Sequence, residues 1–529
     1  MNPPASRTLP ALLDEMARRQ PGHELLVGED GQRLGYGETR ERARQLARGL
    51  LDLGVARGDR IALLMDNRPE WLLVAFAVTM VGATLVPIST WSRPRELEFV
   101  LGHCGASALV TVPALGGQDY LGAVLQAGPR LAQLRRVVVA GGAAPDGLLE
   151  LAAVAARGAR VPESALDAAE RALTPEDVAY ILYTSGTTST PKGVQLCHGR
   201  LVENPWSIGE RQHLTPADRM WMGISLFWSF GCANALLAVM THGGTIVLQE
   251  RLEPGAALAL IERERCSVYY GTPNIALALT GHPDRARRDL SSLRTGAAIG
   301  PPAAMQMVMD LGAREICNVY GLTECYGNCS VTDARDPAEI RRTTVGYPLP
   351  GMEIRVVDRE TRRPLPDGEV GEILVRGLLT PGYYADPERN AASFDADGFL
   401  ITGDLGFVGE DGRLRFRGRT KEMVKTGGIN VAPVEVEEVL LGHPTVEQAY
   451  VVGVPDPRRE EILVAVVVAR PGHAADPDTL RALCKDALAA YKVPREIHVM
   501  ARDDLPVTGT GKVQKFRLAE RLAARGGYS

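Results

Sequence analysis

The chain has 529 residues, of which 45% are hydrophobic and 23% charged. That length and balance fit a soluble globular protein of two or more domains with sizeable cores. A formal net charge of −5 excludes a general nucleic-acid binder, which needs a basic excess. The eight Cys form no Cys-x-x-Cys pair, and the close set, Cys325 and Cys329, lacks zinc-spaced partners. Reduced thiols in a cytoplasmic protein are therefore expected. Met1-Asn2-Pro3-Pro4 carries no basic stretch before an apolar run, so no signal peptide is expected.

Residues 1–170 alternate helical and strand patterns, as in a mostly parallel sheet covered by helices. Thr39–Leu53 reads as an amphipathic helix. Ile61–Met65, Leu109–Val112 and Val137–Ala140 read as short buried strands. Trp71 to Ile88 is uncharged over 18 residues, the lower limit for a membrane-spanning helix. Gly82 and Pro87 argue instead for a buried helix, a turn and a short strand, with no stable membrane insertion.

A buried strand, Val178–Leu182, leads into Tyr183-Thr-Ser-Gly-Thr-Thr-Ser-Thr-Pro-Lys-Gly193. Small hydroxylated residues just past a strand can aim N–H and O–H donors at one anion. Gly186 and Lys192 are six apart, as in a Walker A loop, but Pro191 replaces the second Gly and no Ser/Thr follows Lys192. From the residues alone the stretch is either a polar surface loop or a phosphate loop of another kind. The chain has seven Lys, and Lys192 is the only one before residue 421. A compact ammonium facing phosphate is a role for which Arg is a poor substitute, and this favours the phosphate loop.

Further on, Met220–Ser225, Thr245–Leu248, Ser267–Tyr270, Leu293–Ala297 and Glu315–Tyr320 read as strands. Gly231–Met240 and Pro254–Cys266 read as helices between them. In an open parallel sheet, ligand chemistry is expected in the loops beyond the strands' carboxyl ends. From 346 to 417 the pattern becomes antiparallel, with Glu353–Val357 and Glu369–Arg376 as strands of a small β-subdomain. Arg413–Arg417 and Met423–Lys425 read as a hairpin around Gly418. Pro433–Leu441 and Arg481–Tyr491 read as helices, and Ile462–Ala469 as a strand. Six of the seven Lys lie in this last block, which places a domain boundary near residue 420.

Five further motifs stand in order: Tyr320-Gly321-Leu322-Thr323-Glu324, Thr402-Gly403-Asp404, Gly418-Arg419-Thr420-Lys421-Glu422, Lys425-Thr426-Gly427-Gly428 and Thr510-Gly511-Lys512. With the loop at 183–193, this set resembles the adenylate-forming superfamily of acyl-CoA synthetases, carrier-domain adenylation domains and luciferases, over nearly the whole chain. The resemblance implies an α/β fold: a large N-terminal domain of parallel-type sheets with a small β-subdomain over 1–420, and a mobile α+β domain over 421–529 hinged at Lys421. It implies attack of a carboxylate on the α-phosphate of ATP, then transfer of the acyl group to a thiol, usually CoA, with Mg²⁺ as metal.

By that resemblance, Thr184, Ser185, Gly186, Thr187, Thr188 and Lys192 embrace the β- and γ-phosphates. Thr323 donates to the α-phosphate and Glu324 holds Mg²⁺. Tyr320 stacks on adenine, with Gly296, Ala297 and Ala298 on its other side, and Asn318 joins the nucleotide set. Asp404 and Arg419 take the ribose. Lys512 bridges the substrate carboxylate and the α-phosphate, and Gly427 and Gly428 let the backbone approach the pantetheine arm of CoA.

The chain departs from the family at two positions. Ser189 stands where the phosphate loop usually has Gly, and Trp228 where many acyl-CoA synthetases carry His. No Asp or Glu occurs between Trp221 and Gln249, which argues against an amino-acid substrate, whose buried ammonium would lack a partner. Trp228, Phe230, Asn234, Ile299 and Tyr326 are candidate walls for a hydrophobic acid, whether alicyclic, aromatic or fatty. Two other readings stay open: an acid–AMP ligase that hands its adenylate to a separate carrier protein or partner enzyme, and a non-catalytic nucleotide-binding protein on the same fold.

Overall fold

The computed structural model describes residues 2–115, 119–184, 191–426, 429–456, 460–488, 490–507 and 513–526. Four sheets organise them. The first has seven strands in the order Leu149–Glu150, Arg136–Val139, Ala108–Thr111, Arg60–Leu64, Thr84–Pro87, Val178–Thr184, Lys192–Cys197. All neighbours are parallel except the last pair, where Lys192–Cys197 runs antiparallel to Val178–Thr184 and Thr184 faces Lys192. The stretch after Val178–Thr184 therefore joins two antiparallel strands, not a strand and a helix as in a Walker loop.

The second sheet has nine strands, and its centre is Cys317–Tyr320, Thr295–Ala298, Val268–Gly271, Arg219–Met222, Thr245–Leu248, Glu24–Val27, all parallel. Strands of both sheets contribute to one apolar core, with Ile61, Leu63, Trp71, Met220 and Trp221 essentially unexposed. The helix Pro69–Met80 is apolar on every side and buries nine of its residues, which is how an 18-residue uncharged stretch is satisfied without a bilayer. Among the described residues no helix is long and apolar enough to cross a membrane.

The third sheet is the small antiparallel one, Met352–Val357, Gly371–Gly377, Leu400–Val408, Leu414–Arg419. Its core takes in Tyr320 and Cys325 beside Ile373, Val375 and Leu414, so it packs beneath the Tyr320 loop. The fourth, of five strands, has its own two apolar clusters, around Val424, Val436 and Leu480 and around Val454, Val466 and Leu518.

One expected hairpin is corrected here. Leu414–Arg419 pairs with Leu400–Val408, whereas Val424–Thr426 pairs with Ile429–Val431 in the C-terminal sheet. The short 3-10 turn Thr420–Glu422 lies between them. Burial decides the outcome, because Leu414 belongs to the β-subdomain core and Val424 to the C-terminal core. Two shifts are smaller. The helix expected over Gly231–Met240 begins as a π-helical segment, Ser229–Ala235, before Leu236–Thr241. The helix expected from Arg481 starts earlier, as Pro477–Ala487, where the Asp476 side chain accepts from the Thr479 N–H and caps it.

His198, just past the strand Lys192–Cys197, accepts from the Leu9 N–H at 3.2 Å and anchors the first helix. Its burial pushes the imidazole down from 6.5 to about 4. The unfolded chain then binds a proton that the folded chain refuses between those two values, so this contribution is complete above pH 6.5 and is lost as pH falls toward 4. Acid unfolding curves of wild type and His198→Gln should differ in slope across this window, with wild type losing about 3 kcal/mol more.

Candidate active site

Three segments far apart in sequence meet at one buried carboxylate. Lys192 opens its strand, Glu324 lies in the 3-10 turn Thr323–Cys325, and Tyr383 belongs to a segment that docks on Lys192–Cys197. Lys192 Nζ is 2.5 Å from Glu324 Oε1, and the Tyr383 hydroxyl donates to the same oxygen at 2.9 Å. Only 4% of the Glu324 side chain is exposed, against 21% of Lys192. Beside them Thr184 Oγ1 is buried and has no hydrogen-bond partner among the described residues.

The loop carrying Thr323 and Glu324 is held tightly. A Cβ on Gly321 would lie 2.1 Å from the Gly327 carbonyl oxygen, so only glycine fits there. Asn204 Nδ2, on the helix Arg200–Arg211, donates to Cys325 O at 3.0 Å and Asn328 O at 2.9 Å. Thr323 Oγ1 donates to Ser229 Oγ at 2.9 Å, which ties the loop to the π-helical segment. Thr380 N–H donates to Glu324 O at 2.7 Å and the Thr380 hydroxyl to Gln195 O at 2.6 Å, stitching the Tyr383 segment to both neighbours.

A second cluster lies at the β-subdomain. The Tyr320 hydroxyl donates to Asp404 Oδ2 at 2.8 Å, and Arg419 Nε is 3.2 Å from Asp404 Oδ1. Asp404 and Arg419 are direct cross-strand partners, so sheet register builds the ion pair. Burial, and then the Asp404 charge, push the Tyr320 phenol well up, and it stays a donor. Phe416 stacks on Tyr320 with centroids 5.8 Å apart. Gly296, Ala297 and Ala298 lie in the strand next to that of Asn318 and Tyr320. Gly296 has φ +126°, and a Cβ there would stand 1.9 Å from Tyr269 O. The Asn318 side-chain oxygen accepts from Val319 N–H at 3.0 Å.

The expected acyl walls separate into two kinds. Trp228 and Phe230 are half-buried; Trp228 meets Trp91 edge-on at 4.9 Å, and Phe230 leans on Tyr270 at 5.3 Å. Phe227 completes a trio, 4.8 Å from Trp91. Ile299 is 43% exposed. Asn234 and Tyr326 are fully buried. Asn234 Oδ1 accepts from the Tyr270 hydroxyl at 3.3 Å, and the Tyr326 hydroxyl accepts from Cys197 N–H at 3.0 Å, so both brace the scaffold behind a surface.

Ser185, Gly186, Thr187, Thr188, Ser189, Gly427, Gly428 and Lys512 lie outside the described residues. Lys421 falls in the turn Thr420–Glu422, and its side chain lies outside them too. Sequence reasoning missed Tyr383, Asn204, Phe416 and Trp91. Trp91 had a usable signal, since it follows the carboxyl end of the strand Thr84–Pro87, where ligand loops gather. Asn204 had none, being a polar residue inside an amphipathic helix.

The arrangement offers hydroxyls and an ammonium for phosphate, one carboxylate able to face a cation, and a separate carboxylate–guanidinium pair beside an aromatic ring. Among the described residues no three His, Cys, Asp or Glu side chains converge as a metal cage. Glu324 already faces a cation, Lys192, so its surroundings suit a metal that takes most of its other ligands from phosphate and water.

A family model described as "AMP-binding enzyme" matches residues 13–384, and one described as "AMP-binding enzyme C-terminal domain" matches 435–512. A Mycobacterium tuberculosis protein named 3-[(3aS,4S,7aS)-7a-methyl-1,5-dioxo-octahydro-1H-inden-4-yl]propanoyl:CoA ligase is 36% identical, covering 97% of this chain and 99% of its own. A feruloyl-CoA synthase of Amycolatopsis sp is 34% identical, over 96% and 97% of the two chains. Among solved structures, the anthranilate CoA ligase AuaEII in complex with anthranoyl-AMP superposes with a TM-score of 0.87 at 28% identity, covering 98% of each chain.

The Lys192–Glu324 pair should behave as a buried unit. Lys192→Met alone should lower stability by about 2–4 kcal/mol by stranding the carboxylate, and Lys192→Met with Glu324→Gln should recover most of that loss. Denaturant midpoints of the two single variants and the double variant measure the coupling.

Proposed function

The chain belongs to the AMP-binding enzyme family, as an AMP-forming acid–thiol ligase, and from that premise we propose that its acid is alicyclic or aromatic. The enzyme activates a hydrophobic carboxylic acid with ATP to acyl-AMP and then forms the CoA thioester. The observation that carries the narrower reading is the aromatic trio Trp91, Phe227 and Trp228, the last two of which lie in a stretch with no acidic side chain, from Trp221 to Gln249. Flat or ring-shaped apolar acids match such a surface, since aromatic faces reward offset and edge contacts. An α-ammonium would find no carboxylate there. The named substrates of the two ligases and of the AuaEII structure, which all carry rings, support the same reading.

In this proposal each side chain acts where charge develops. A substrate carboxylate oxygen attacks the α-phosphorus, the bond to the β-phosphate oxygen breaks, and pyrophosphate leaves. Thr184, with Ser185, Thr187 and Thr188, donates to the β- and γ-phosphates, and Lys192 adds a point charge. Thr323 donates to the α-phosphate. Lys512 holds the substrate carboxylate and the α-phosphate together. Asp404 and Arg419 receive the ribose beside Tyr320. Glu324 is the ligand for Mg²⁺, which when bound offsets phosphate charge. The CoA sulfur then attacks the acyl carbon, losing its proton, and AMP departs. The hinge at Lys421 moves the domain that carries Lys512 away and brings the Lys425–Gly428 segment to the thiol.

Lys512→Ala should abolish acyl-AMP formation while largely sparing thioester formation from supplied acyl-AMP. Equal loss of both half-reactions would refute the role given to Lys512. Pyrophosphate release across a panel of acids should favour cyclic and aryl acids over acetate and amino acids by more than about tenfold, the discrimination that a few buried carbons supply. A panel led by an amino acid overturns the substrate class.

A further inference from the structure

Tyr383 lies in none of the six motifs named above, yet its hydroxyl stands at the centre of the Lys192–Glu324 pair. It donates to Glu324 Oε1 at 2.9 Å and accepts from Lys192 Nζ at 3.3 Å. The ammonium also sits 4.7 Å from the centre of the Tyr383 ring. The backbone around Tyr383 is fixed from two directions. Its N–H donates to Asn390 Oδ1 at 2.6 Å, and the next N–H, of Tyr384, donates to Gly193 O at 2.8 Å. Tyr383 is thus carried on the strand that begins with Lys192, and it forms a β-bridge with Val194.

We propose that Tyr383 is a positioning residue that keeps Glu324 aimed when Lys192 leaves it for the phosphates. This rests on the reading that ATP and Mg²⁺ meet at Lys192 and Glu324. One ammonium cannot keep its 2.5 Å contact to Glu324 and also point every donor at phosphate. When it turns away, the buried carboxylate loses its cation. The Tyr383 O–H, rigid on its docked segment, still holds Oε1. A carboxylate with one oxygen fixed presents the other in a set direction, which is what a metal with strict octahedral demands requires.

Tyr383→Phe tests this, because it removes the hydroxyl and keeps the ring, its packing and its contact with the ammonium. Calorimetric titration with ATP should be run with saturating Mg²⁺ and again with a chelator. The variant should bind Mg²⁺–ATP about tenfold more weakly and metal-free ATP within about twofold of wild type, as loss of one hydrogen bond to a charged group implies. The Mg²⁺ concentration for half-maximal pyrophosphate release should rise in parallel, while thioester formation from supplied acyl-AMP stays at the wild-type rate. Equal weakening with and without Mg²⁺, or no change in either, overturns the positioning role. If wild type itself binds ATP without regard to Mg²⁺ and makes no thioester, the functional reading falls instead.

Discussion

A carboxylate with 4% of its side chain exposed has lost its water, and donors and a cation must stand in for it. Much of the site follows from that requirement at Glu324. It calls for a cation, and the chain brings Lys192 from 132 residues away. It calls for a fixed donor, and Tyr383 arrives from the other side. Neither can come from the loop that holds Glu324, because Gly321 and Asn204 keep that loop closed against its own backbone. The strand Lys192–Cys197, the Glu324 loop and the Thr380–Tyr384 segment are consequently bonded to one another.

Much of the fold was legible because parallel strands buried on both faces read as continuous apolar runs. Ala108–Thr111, Thr245–Leu248 and Val268–Gly271 are of this kind. What was illegible was pairing at a distance. Glu24–Val27 joins Thr245–Leu248, and nothing local in either strand names the other. The hairpin expected at Gly418 failed for a related reason, since two apolar stretches one turn apart serve different cores. At the candidate site, Lys192 and Glu324 each stood out in the sequence within a motif, and the structure brings them together. Tyr383 did not stand out, because one tyrosine among 14 carries no signal until its neighbours in space are known.

The Tyr320–Asp404–Arg419 cluster and the turn that follows it are joined by sheet register. Arg419 is the last residue of its strand and the partner of Asp404, and Thr420–Glu422 begins immediately after. Beyond the turn, Lys515 Nζ lies 2.7 Å from Glu437 and 3.4 Å from Glu422, so the C-terminal helix is clasped to the start of its own domain. Reorientation at the turn would therefore carry the C-terminal sheet and helix together and would pull directly on the strand that presents Arg419.

The scarcity of lysine has a chemical consequence of its own. A mixed anhydride of an acid and AMP is an electrophile that acylates free amines, and the enzyme makes it in its own cleft. Guanidinium groups are far poorer nucleophiles than amines, and the first 420 residues carry their positive charge as arginine, with Lys192 the sole exception. That one amine is paired with Glu324 and mostly covered. Across its first 420 residues the chain thus meets its own reactive product with a single side-chain amine.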